Sequence, residues 1–314
     1  MADDGSFRVE PADVDRPAGV ALAGFLRRRM PDRSWADIKR LIATGKVHVA
    51  GARELAPDRR LGAGVTVEVR MAAPRPRDER REVRIVFEDS NVVVIDKPSG
   101  VSSVPFLRGD TGTAMDLVRE AWRRMGRPAT TTPLHIVHRI DKDTSGLLVF
   151  AKTKRAELGL ASQLRRHEME RVYLCVAHGR VVARTIESEL VADRGDGIRG
   201  TARGEQVGRG KRAVTHVAPK ETLHNATLCE VRLETGKTHQ IRIHFAEAGH
   251  PLVGETVYVR DLRSGGGVEL PCERLLLHAA TLGFVHPVTG VKVSCVAEPP
   301  PDFTRAVEQL RRGR

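Results

Sequence analysis

The stretch that decides the fold is His138–Lys152, which reads HRIDKDTSGLLVFAK. Its first nine residues contain a histidine, two fixed cations, two acids and two hydroxyl side chains, and they end at Gly146. The apolar run Leu147–Phe150 that follows predicts a buried strand. Such a dense polar cluster at the mouth of a buried strand would strain an ordinary turn, so it indicates a functional site. From the residues alone, a loop with no catalytic role explains the cluster equally well.

The composition is that of a globular protein. The chain has 314 residues, which suffices for about two domains at roughly 100–200 residues each. Its 40% hydrophobic residues can form a core, and its longest apolar runs fall far short of the ~18 residues of a membrane span. We therefore exclude membrane-embedded and largely disordered proteins. The first residues lack the basic-then-apolar order of a signal peptide, so we expect a cytoplasmic protein, and we expect it to be a monomer.

The charge of the chain is unevenly distributed. Lys and Arg number 52 against 40 Asp and Glu, which is a formal net charge of +12. Half of that excess lies in residues 17–72, which hold eleven bases and five acids. Concentrated positive charge on a small module favours a polyanion such as nucleic acid, because binding of phosphates releases counterions. A codon bias towards arginine is the alternative explanation.

Residues 17–72 have the pattern of a small α-α-β-β module. Apolar residues at helical spacing begin near Val20, and Ser34 fits the N-cap position of a second helix that ends at Gly45. Two alternating strands follow within residues 46–69. The pattern resembles the alpha-L RNA-binding module of a small-subunit ribosomal protein and of tyrosyl-tRNA synthetases. The resemblance implies a basic helix pair that faces RNA, supplied here by Arg27, Arg28, Arg29, Arg33, Lys39 and Arg40.

The other boundaries follow from composition and periodicity. Residues 1–16 have more acids than bases and no periodicity, so we expect a disordered tail, whereas residues 73–82, rich in Pro and charge, predict a linker. Residues 83–305 combine strands and helices at uneven spacing, which predicts an α+β domain, and residues 306–314 are expected to form a basic tail. Residues 193–212 contain six glycines and six Lys or Arg. They predict either a flexible basic loop over RNA or an ordinary glycine-rich hairpin extension.

Four motifs in one order identify the chain as a member of the RluA-type pseudouridine synthases. Residues Leu134–Lys152 match the family signature with Asp before Thr-Ser-Gly, and residues 91–100 match the strand that ends in Lys-Pro-x-Gly. Residues 235–254 are similar to the third motif and residues 277–287 to the closing one. The resemblance implies the pseudouridine synthase fold, a mixed, largely antiparallel sheet with flanking helices and loops. It also implies an enzyme that isomerises uridine to pseudouridine in structured RNA.

The resemblance also implies the roles of individual residues. Asp141 corresponds to the essential catalytic aspartate, and Arg242 to the cation that preserves its charge. Tyr173 corresponds to the tyrosine that stacks on the target uracil, with a further role in loss of the C5 proton left open. Arg139 corresponds to the residue that enters the RNA stack in place of the flipped base. Without the resemblance, a core aromatic is the alternative for Tyr173, and a phosphate contact or a surface charge on a helix is the alternative for Arg242.

The chemistry of the reaction explains these residue types. The enzyme breaks the ribose C1′–N1 bond and joins C1′ to C5, an isomerisation for which we expect no cofactor and no metal. A free Asp with a pKa near ~3.9 is ionised at pH 7, but burial raises that pKa, so an arginine that forms a planar fork with the carboxylate is suitable. The carboxylate acts on the ribose as nucleophile or as base. The base must first leave its stack, because C1′ and C5 are out of reach inside a paired helix.

Histidines suggest a metal site at first sight. The pairs His135 with His138 and His239 with His244 lack a third ligand at zinc spacing. We therefore expect these histidines to form hydrogen bonds near Asp141 and Arg242 rather than to bind a metal.

Three departures from the family pattern concern the substrate more than the activity. Glu255 stands where the family usually has Asp, Arg171 stands where it has Lys, and residues 101–105 lack the usual His-Pro. We expect large-subunit ribosomal RNA as the substrate, because family members with the appended module usually act there. Transfer RNA is one alternative, and a catalytically silent RNA-binding or ribosome-assembly factor is another.

Overall fold

The structure, a computed structural model, describes residues 5–14, 19–73, 82–105, 110–259, 270 and 272–313. The chain divides into two units, Met1–Glu79 and Arg80–Arg314. Most of the predicted linker at 73–82 lies outside the described residues. Among the residues that the structure describes, none forms a helix of the length and apolar character that a bilayer crossing requires.

In the N-terminal unit, two helices pack on short antiparallel strands. Helix α1 spans Leu22–Arg29 and helix α2 spans Trp35–Ala43. The strands are β1 (Gly5–Arg8), β2 (Val20–Ala21), β3 (Val47–Val49), β4 (Ala52–Arg53), β5 (Arg60–Leu61) and β6 (Thr66–Val69). One sheet has the order β1-β6-β3-β4, and β2 pairs with β5. Side chains from both helices and from β3 and β6 form the core of this unit, among them Phe25, Leu26, Ile38, Ile42, Val47 and Val67.

In this unit the start of α2 was predicted correctly, whereas strand β1 was not. Ser34 caps α2 as predicted: its hydroxyl accepts a hydrogen bond from the Asp37 N–H, and the Asp37 carboxylate accepts one from the Ser34 N–H. The expectation of a disordered tail over residues 1–16 is wrong for residues 5–13. Strand β1 pairs with β6, and a 3₁₀ turn at Pro11–Asp13 follows it. The partner of β1 lies some sixty residues further along the chain, at Thr66–Val69, so no local periodicity reveals this strand.

The second unit is built on one large sheet. Its strands are β7 (Arg84–Glu88), β8 (Val92–Lys97), β9 (His135–Ile136), β10 (Ser145–Ala151), β11 (Glu170–His178), β12 (Arg184–Val191), β13 (Gly200–Thr201), β14 (Lys211–Leu223), β15 (Ala226–Leu233), β16 (Leu277–Val285) and β17 (Lys292–Val296). Their order is β13-β12-β14-β15-β11-β16-β10-β8-β7, with β17 beside β16 and β9 beside β10. Among the described pairs, only β10 and β16 run parallel. The predicted mixed, largely antiparallel sheet is therefore confirmed.

Helices cover both faces of the sheet around β8 and β10. The helices of this unit are α3 (Ala114–Arg124), α4 (Lys154–Arg165), α5 (Gln240–Glu247) and α6 (Pro301–Arg311). Val93 and Ile95 pack with Trp122 of α3, whereas Val92 and Val94 pack with Leu160 of α4. Alternate side chains of a strand point to opposite faces, so a strand buried on both faces is apolar throughout. This explains the unbroken run of apolar residues in β8.

Two predictions for the rest of this unit need correction or refinement. The expected basic tail at 306–314 is wrong, because α6 continues to Arg311 and buries Phe303, Val307 and Leu310 against the sheet. Residues 193–212 connect the hairpin strands β12 and β14 and contain β13 and a 3₁₀ turn at Gly204–Gln206. They therefore form a hairpin extension with structure of its own.

Candidate active site

The loop that carries Asp141 is held by hydrogen bonds to its backbone. Three side chains donate to carbonyls of this loop: Ser103 to Ile140 (2.7 Å), Lys97 to Lys142 (3.0 Å) and Ser99 to Asp143 (2.7 Å). Lys97 is fully buried at the end of β8, and burial lowers its pKa to about 7. All three side chains donate to backbone carbonyls, so none of these hydrogen bonds occupies the Asp141 side chain, which is 22% exposed.

The end of the same loop is locked to the neighbouring strand. Gly146 has φ +108°, and a Cβ there would lie 2.3 Å from the carbonyl oxygen of Ala279 in β16. Only glycine permits both the conformation and the close approach. The Ser145 hydroxyl lies 2.9 Å from Nδ1 of His278 and accepts a hydrogen bond from Arg274 Nη2, also at 2.9 Å. The Thr-Ser-Gly segment therefore fixes where the loop joins strand β10. Its partner His278 belongs to the closing motif.

Arg242 lies between two carboxylates. Its Nε and Nη2 donate to Oε2 and Oε1 of Glu255, both at 2.7 Å, while its Nη1 lies 3.9 Å from Oδ2 of Asp141. Arg242 lies near Asp141 as predicted. The prediction that its guanidinium forms a two-bond pair with Asp141 is wrong, because that pair is formed with Glu255. Burial by itself lowers the pKa of Arg242, but the hydrogen bonds and charge of Glu255, with the charge of Asp141, outweigh it and raise that pKa. Arg242 is thus a permanent cation with one edge turned to Asp141.

Glu255 is the fixed partner in this arrangement. Its side chain is fully buried and also accepts hydrogen bonds from the N–H groups of Thr256 and Val257. Burial tends to raise the pKa of Glu255, but the hydrogen bonds and charge of Arg242, helped by backbone N–H groups, lower it. The Arg242 guanidinium lies over the ring of Tyr258, with Cζ 5.4 Å from the ring centroid. Both carboxylate oxygens of Glu255 are therefore hydrogen-bonded, although the family usually has the shorter Asp at this position.

Asp141 opens into a cleft of about 810 Å³. The walls come from the Asp141 loop, from β11, from the end of α4 and from the turn before α5. Among the described residues that line it, Asp141 is the only acid, whereas the cations are Arg139, Lys142, Arg165, Arg171 and Lys237. A cleft with this excess of positive charge suits a polyanionic ligand.

Tyr173 and Arg139 both line this cleft. Tyr173 lies on β11 and is 8% exposed, and the register with β16 shifts by a bulge between Val172 and Tyr173. Burial raises the pKa of the Tyr173 phenol, and the charge of Asp141 adds to this, so the phenol keeps its proton at neutral pH. Arg139 is exposed, two residues from Asp141. The structure thus brings Asp141, Arg242, Tyr173 and Arg139 into one region.

Comparison with known proteins gives the family. A model of the RNA pseudouridylate synthase family matches residues 91–247. The chain belongs to this family. It is 38% identical to ribosomal large subunit pseudouridine synthase D of Zymomonas mobilis over 308 residues, 92% of each chain, and 33% identical to the protein of that name from Xanthomonas campestris over 318 residues, 95% of this chain and 91% of the other. The solved structure of human RNA pseudouridylate synthase domain containing 4 shares the fold, with 22% identity, a TM-score of 0.55, and coverage of 72% of this chain and 92% of that one.

The chain is therefore a pseudouridine synthase, an isomerase that acts on uridine in RNA. The fold and the enzyme class predicted from the four motifs are confirmed. A catalytically silent binding factor is set aside. The individual site residues remain assignments from geometry and from the resemblance.

Five of the six basic residues predicted to bind RNA lie on the helix pair of the synthase's N-terminal unit, and Arg33 lies in the turn between the two helices. Arg29 pairs with Asp13 at 2.5 Å, and Arg40 pairs with Asp37 at 2.6 Å. Arg27 donates to the Pro31 carbonyl and Arg28 to the Asp13 carbonyl. Among the described residues, Arg33 and Lys39 form no ion pair. The role of this unit in RNA binding stays a prediction.

The histidines of the synthase form hydrogen bonds around the site. His239 Nδ1 lies 2.8 Å from the Tyr258 hydroxyl, and His244 lies between the hydroxyls of Thr215 and Ser188 at 2.8 and 2.9 Å. Burial lowers the pKa of His138 to about 3, with the charge of Arg171 adding to it, and burial lowers that of His244 to about 4. These rings are neutral at pH 7 and act as hydrogen-bonding groups. Within the described ranges, no three His, Cys, Asp or Glu side chains converge as metal ligands do.

Sequence reasoning missed three residues that build this site. Lys97 and Ser103 position the Asp141 loop, and Tyr258 supports Arg242. Lys97 lies in the matched Lys-Pro motif, so the signal for it was present, but nothing local shows that its ammonium group reaches Lys142. Glu255 was noted only as a departure, although it holds Arg242.

Proposed function

We propose that this synthase isomerises uridine in large-subunit ribosomal RNA and that Asp141 is its catalytic carboxylate. The choice of RNA is supported by two relatives named as ribosomal large subunit pseudouridine synthases, which match over more than nine-tenths of each chain. The choice of residue is supported by position, because Asp141 is the only acid among the described residues of the cleft.

One observation carries the catalytic assignment: Glu255, not Asp141, takes the Arg242 fork. Asp141 therefore has a fixed positive neighbour at 3.9 Å without a short ion pair that would occupy both its oxygens. Its carboxylate keeps lone pairs for the ribose, where it attacks C1′ or removes the C2′ proton. Attack forms a bond from the carboxylate to C1′ as C1′–N1 breaks, and C5 of the rotated uracil later displaces the carboxylate. Removal of the C2′ proton breaks C1′–N1 with formation of a C1′=C2′ double bond, and Asp141 returns that proton to C2′ as C5 bonds to C1′. In both routes N1 gains a proton and C5 loses one.

The remaining cleft residues have roles that follow from their positions. The flat, protonated Tyr173 ring offers a stacking surface for the uracil, and its raised pKa makes it a poor base for the C5 proton. The exposed guanidinium of Arg139 is available to fill the gap that an everted nucleotide leaves in the RNA stack. Extrusion costs a few kcal/mol, which such a replacement offsets.

The test of this function is conversion of RNA transcripts labelled with tritium at uridine C5. Wild-type enzyme is expected to release tritium from large-subunit ribosomal RNA, and Asp141→Asn to lower that rate by at least about 10³-fold with an unchanged thermal midpoint. Asp143→Asn is the matched control, since Asp143 is an exposed acid of the same loop, and it is expected to retain most of the activity. Equal rates for Asp141→Asn and wild type would refute the catalytic assignment, and release from transfer RNA alone would refute the substrate.

Arg139→Ala separates binding from conversion. We expect this variant to bind the RNA within a few-fold of wild type but to turn it over roughly 10²-fold more slowly, because the vacated stack is no longer filled. A pre-unpaired target uridine should restore much of the loss, since its extrusion costs less. Unchanged turnover of the paired substrate would remove Arg139 from the extrusion step.

A further inference from the structure

Arg171 is a buried cation in the wall of the active-site cleft. It lies on β11 two residues before Tyr173, lines the same cleft and is 8% exposed. Its Nη2 donates to the backbone carbonyls of Glu234 at 2.6 Å and of Leu233 at 3.4 Å. Those two bonds hold one edge of the guanidinium against the end of β15. The catalytic roles proposed above do not use this residue.

The charge of Arg171 has no counter-ion among the described residues. No carboxylate of the described chain lies within ion-pair distance of it, and its Nε is buried without a hydrogen-bond acceptor. Burial accordingly lowers the pKa of Arg171. A buried, unpaired guanidinium is costly to a fold, and binding of an anion removes much of that cost. Arg242, by contrast, has a complete carboxylate partner in Glu255.

The turn before α5 leaves space for this guanidinium. A Cβ at Gly236 would lie 2.6 Å from Nη1 of Arg171. The absence of a side chain at Gly236 therefore leaves room for Nη1 of Arg171, which lines the cleft. Lys237, the residue after Gly236, is another cation that lines the cleft.

We propose that Arg171 binds a backbone phosphate of the RNA next to the everted nucleotide. This inference deepens the proposed function and rests on it for the position of the target uridine. A guanidinium with free N–H donors matches the oxygens of a phosphate, and Asp141 is the only acid among the described residues that line the cleft, whose other fully charged side chains are all Lys or Arg.

The spacing along β11 favours a phosphate over the uracil as the ligand of Arg171. Two residues of a strand span about 6.6 Å, and alternate side chains share a face. If Tyr173 stacks on the base, Arg171 is displaced from it by about the distance between a nucleobase and its own phosphate. The uracil carbonyls would then lie at Tyr173 and the charged backbone at Arg171.

The salt dependence of RNA binding tests this assignment. The probe is the transcript that wild-type enzyme converts, or an oligouridylate of about ten nucleotides if none is converted, so the binding result stands apart from the activity result. All proteins carry Asp141→Asn to keep the RNA unmodified. Arg171→Gln is expected to weaken binding about tenfold at low salt and to reduce the slope of log K against log salt by about 0.7–0.9, the release of one phosphate contact.

Arg232→Gln is the matched control. Arg232 lies on the neighbouring strand β15, is well exposed and pairs with Glu230, and it does not line the cleft. Its substitution is expected to leave the slope unchanged. A loss of affinity by Arg171→Gln with no change of slope would overturn the proposal in favour of a contact to an uncharged group such as a uracil carbonyl. Unchanged affinity and slope would overturn it in favour of a purely structural Arg171.

Gly236→Ala tests the same contact without removing the charge. The added methyl must displace Nη1 of Arg171, and the backbone at Gly236 does not require glycine because its φ is not positive. We expect Gly236→Ala to lower the slope on its own and to have little further effect in the Arg171→Gln background. Equal effects in both backgrounds would show that the alanine acts independently and would overturn the proposal. If Arg171→Gln does not fold, Gly236→Ala is sufficient as the test. An unchanged salt slope for the folded Gly236→Ala protein would then overturn the proposal.

Discussion

The two units of this synthase place their charged residues in opposite environments. In the N-terminal unit the basic residues of α1, α2 and the turn between them lie at or near the surface, and the ion pair of Arg40 with Asp37 is exposed. In the catalytic unit, Lys97, Arg171, Arg242 and Glu255 are buried, and Lys97 and Arg171 donate to carbonyls 45 and 63 residues along the chain. The same residue types therefore serve two purposes.

We expect this difference to separate attraction of the RNA from positioning of the reacting groups. Exposed charges act over distance and are screened by salt, so they gather a polyanion without fixing it. Buried charges interact strongly only in one geometry, so they can fix a loop or a reacting group. The largest effects of substitution are thus expected in the catalytic unit and the smallest on the exposed helix pair.

Removal of the Glu255 charge is expected to have the largest effect. Glu255→Gln leaves Arg242 buried without its close partner, which should lower the free energy of unfolding by about 3 kcal/mol. Asp141 is then the one carboxylate near Arg242 among the described residues, so its oxygens are expected to pair with Arg242 and conversion to fall by about tenfold or more. Urea unfolding and tritium release measure the two effects.

Glu255→Asp is the control for that variant, because it keeps the charge and restores the residue usual in the family. It should retain more stability and more activity than Glu255→Gln. If the two variants were equally active, the pairing of Arg242 with Glu255 would have no bearing on Asp141.

Replacement of Lys97 is expected to have an intermediate effect with a distinctive pH dependence. Lys97→Met removes the donor to the carbonyls of Pro98, Val101 and Lys142, which should cost about 1–3 kcal/mol of stability. The pKa of folded Lys97 is about 7 and that of an unfolded lysine is near ~10.4, so between these values the unfolded state binds more protons. The stability of wild type relative to Lys97→Met should therefore rise as the pH increases from about 7 to 10.

Thermal unfolding of both proteins across that pH range measures the difference. Using the difference cancels the other titrating groups, which the two proteins share. A gap that stays constant with pH would mean that Lys97 keeps its proton when buried.

The smallest effect is expected from the exposed cations of the N-terminal unit. Arg33→Gln or Lys39→Gln should weaken RNA binding by roughly threefold and lower the salt slope by less than about 1, with stability unchanged within about 0.5 kcal/mol. Arg311→Gln, which removes an exposed ion pair with Glu221 in the catalytic unit, is the control. If neither slope differs from that of the control, this helix pair is not an RNA-binding surface.

The sequence predicted the elements whose signals are local. Ser34 marks a helix start because its hydroxyl caps the next turn, and the run at Val92–Ile95 marks a strand buried on both faces. Strand β1 was missed because its stability comes from a partner far along the chain. Helix α6 was missed although its buried residues Phe303, Val307 and Leu310 have helical spacing, since the basic ending suggested a tail.

What the sequence determined by itself was the family, together with the segment around Asp141 in which we propose the catalytic carboxylate. Only the tertiary structure decided that Arg242 forms its two short hydrogen bonds with Glu255 rather than Asp141 and that Lys97 holds the Asp141 loop. It alone also shows that Arg171 has no counter-ion in the part of the chain that the structure describes. The physical reason is range: caps, turns and strand patterns depend on neighbours a few residues away, whereas the pairing of buried charges depends on which distant segments the fold brings within about 4 Å.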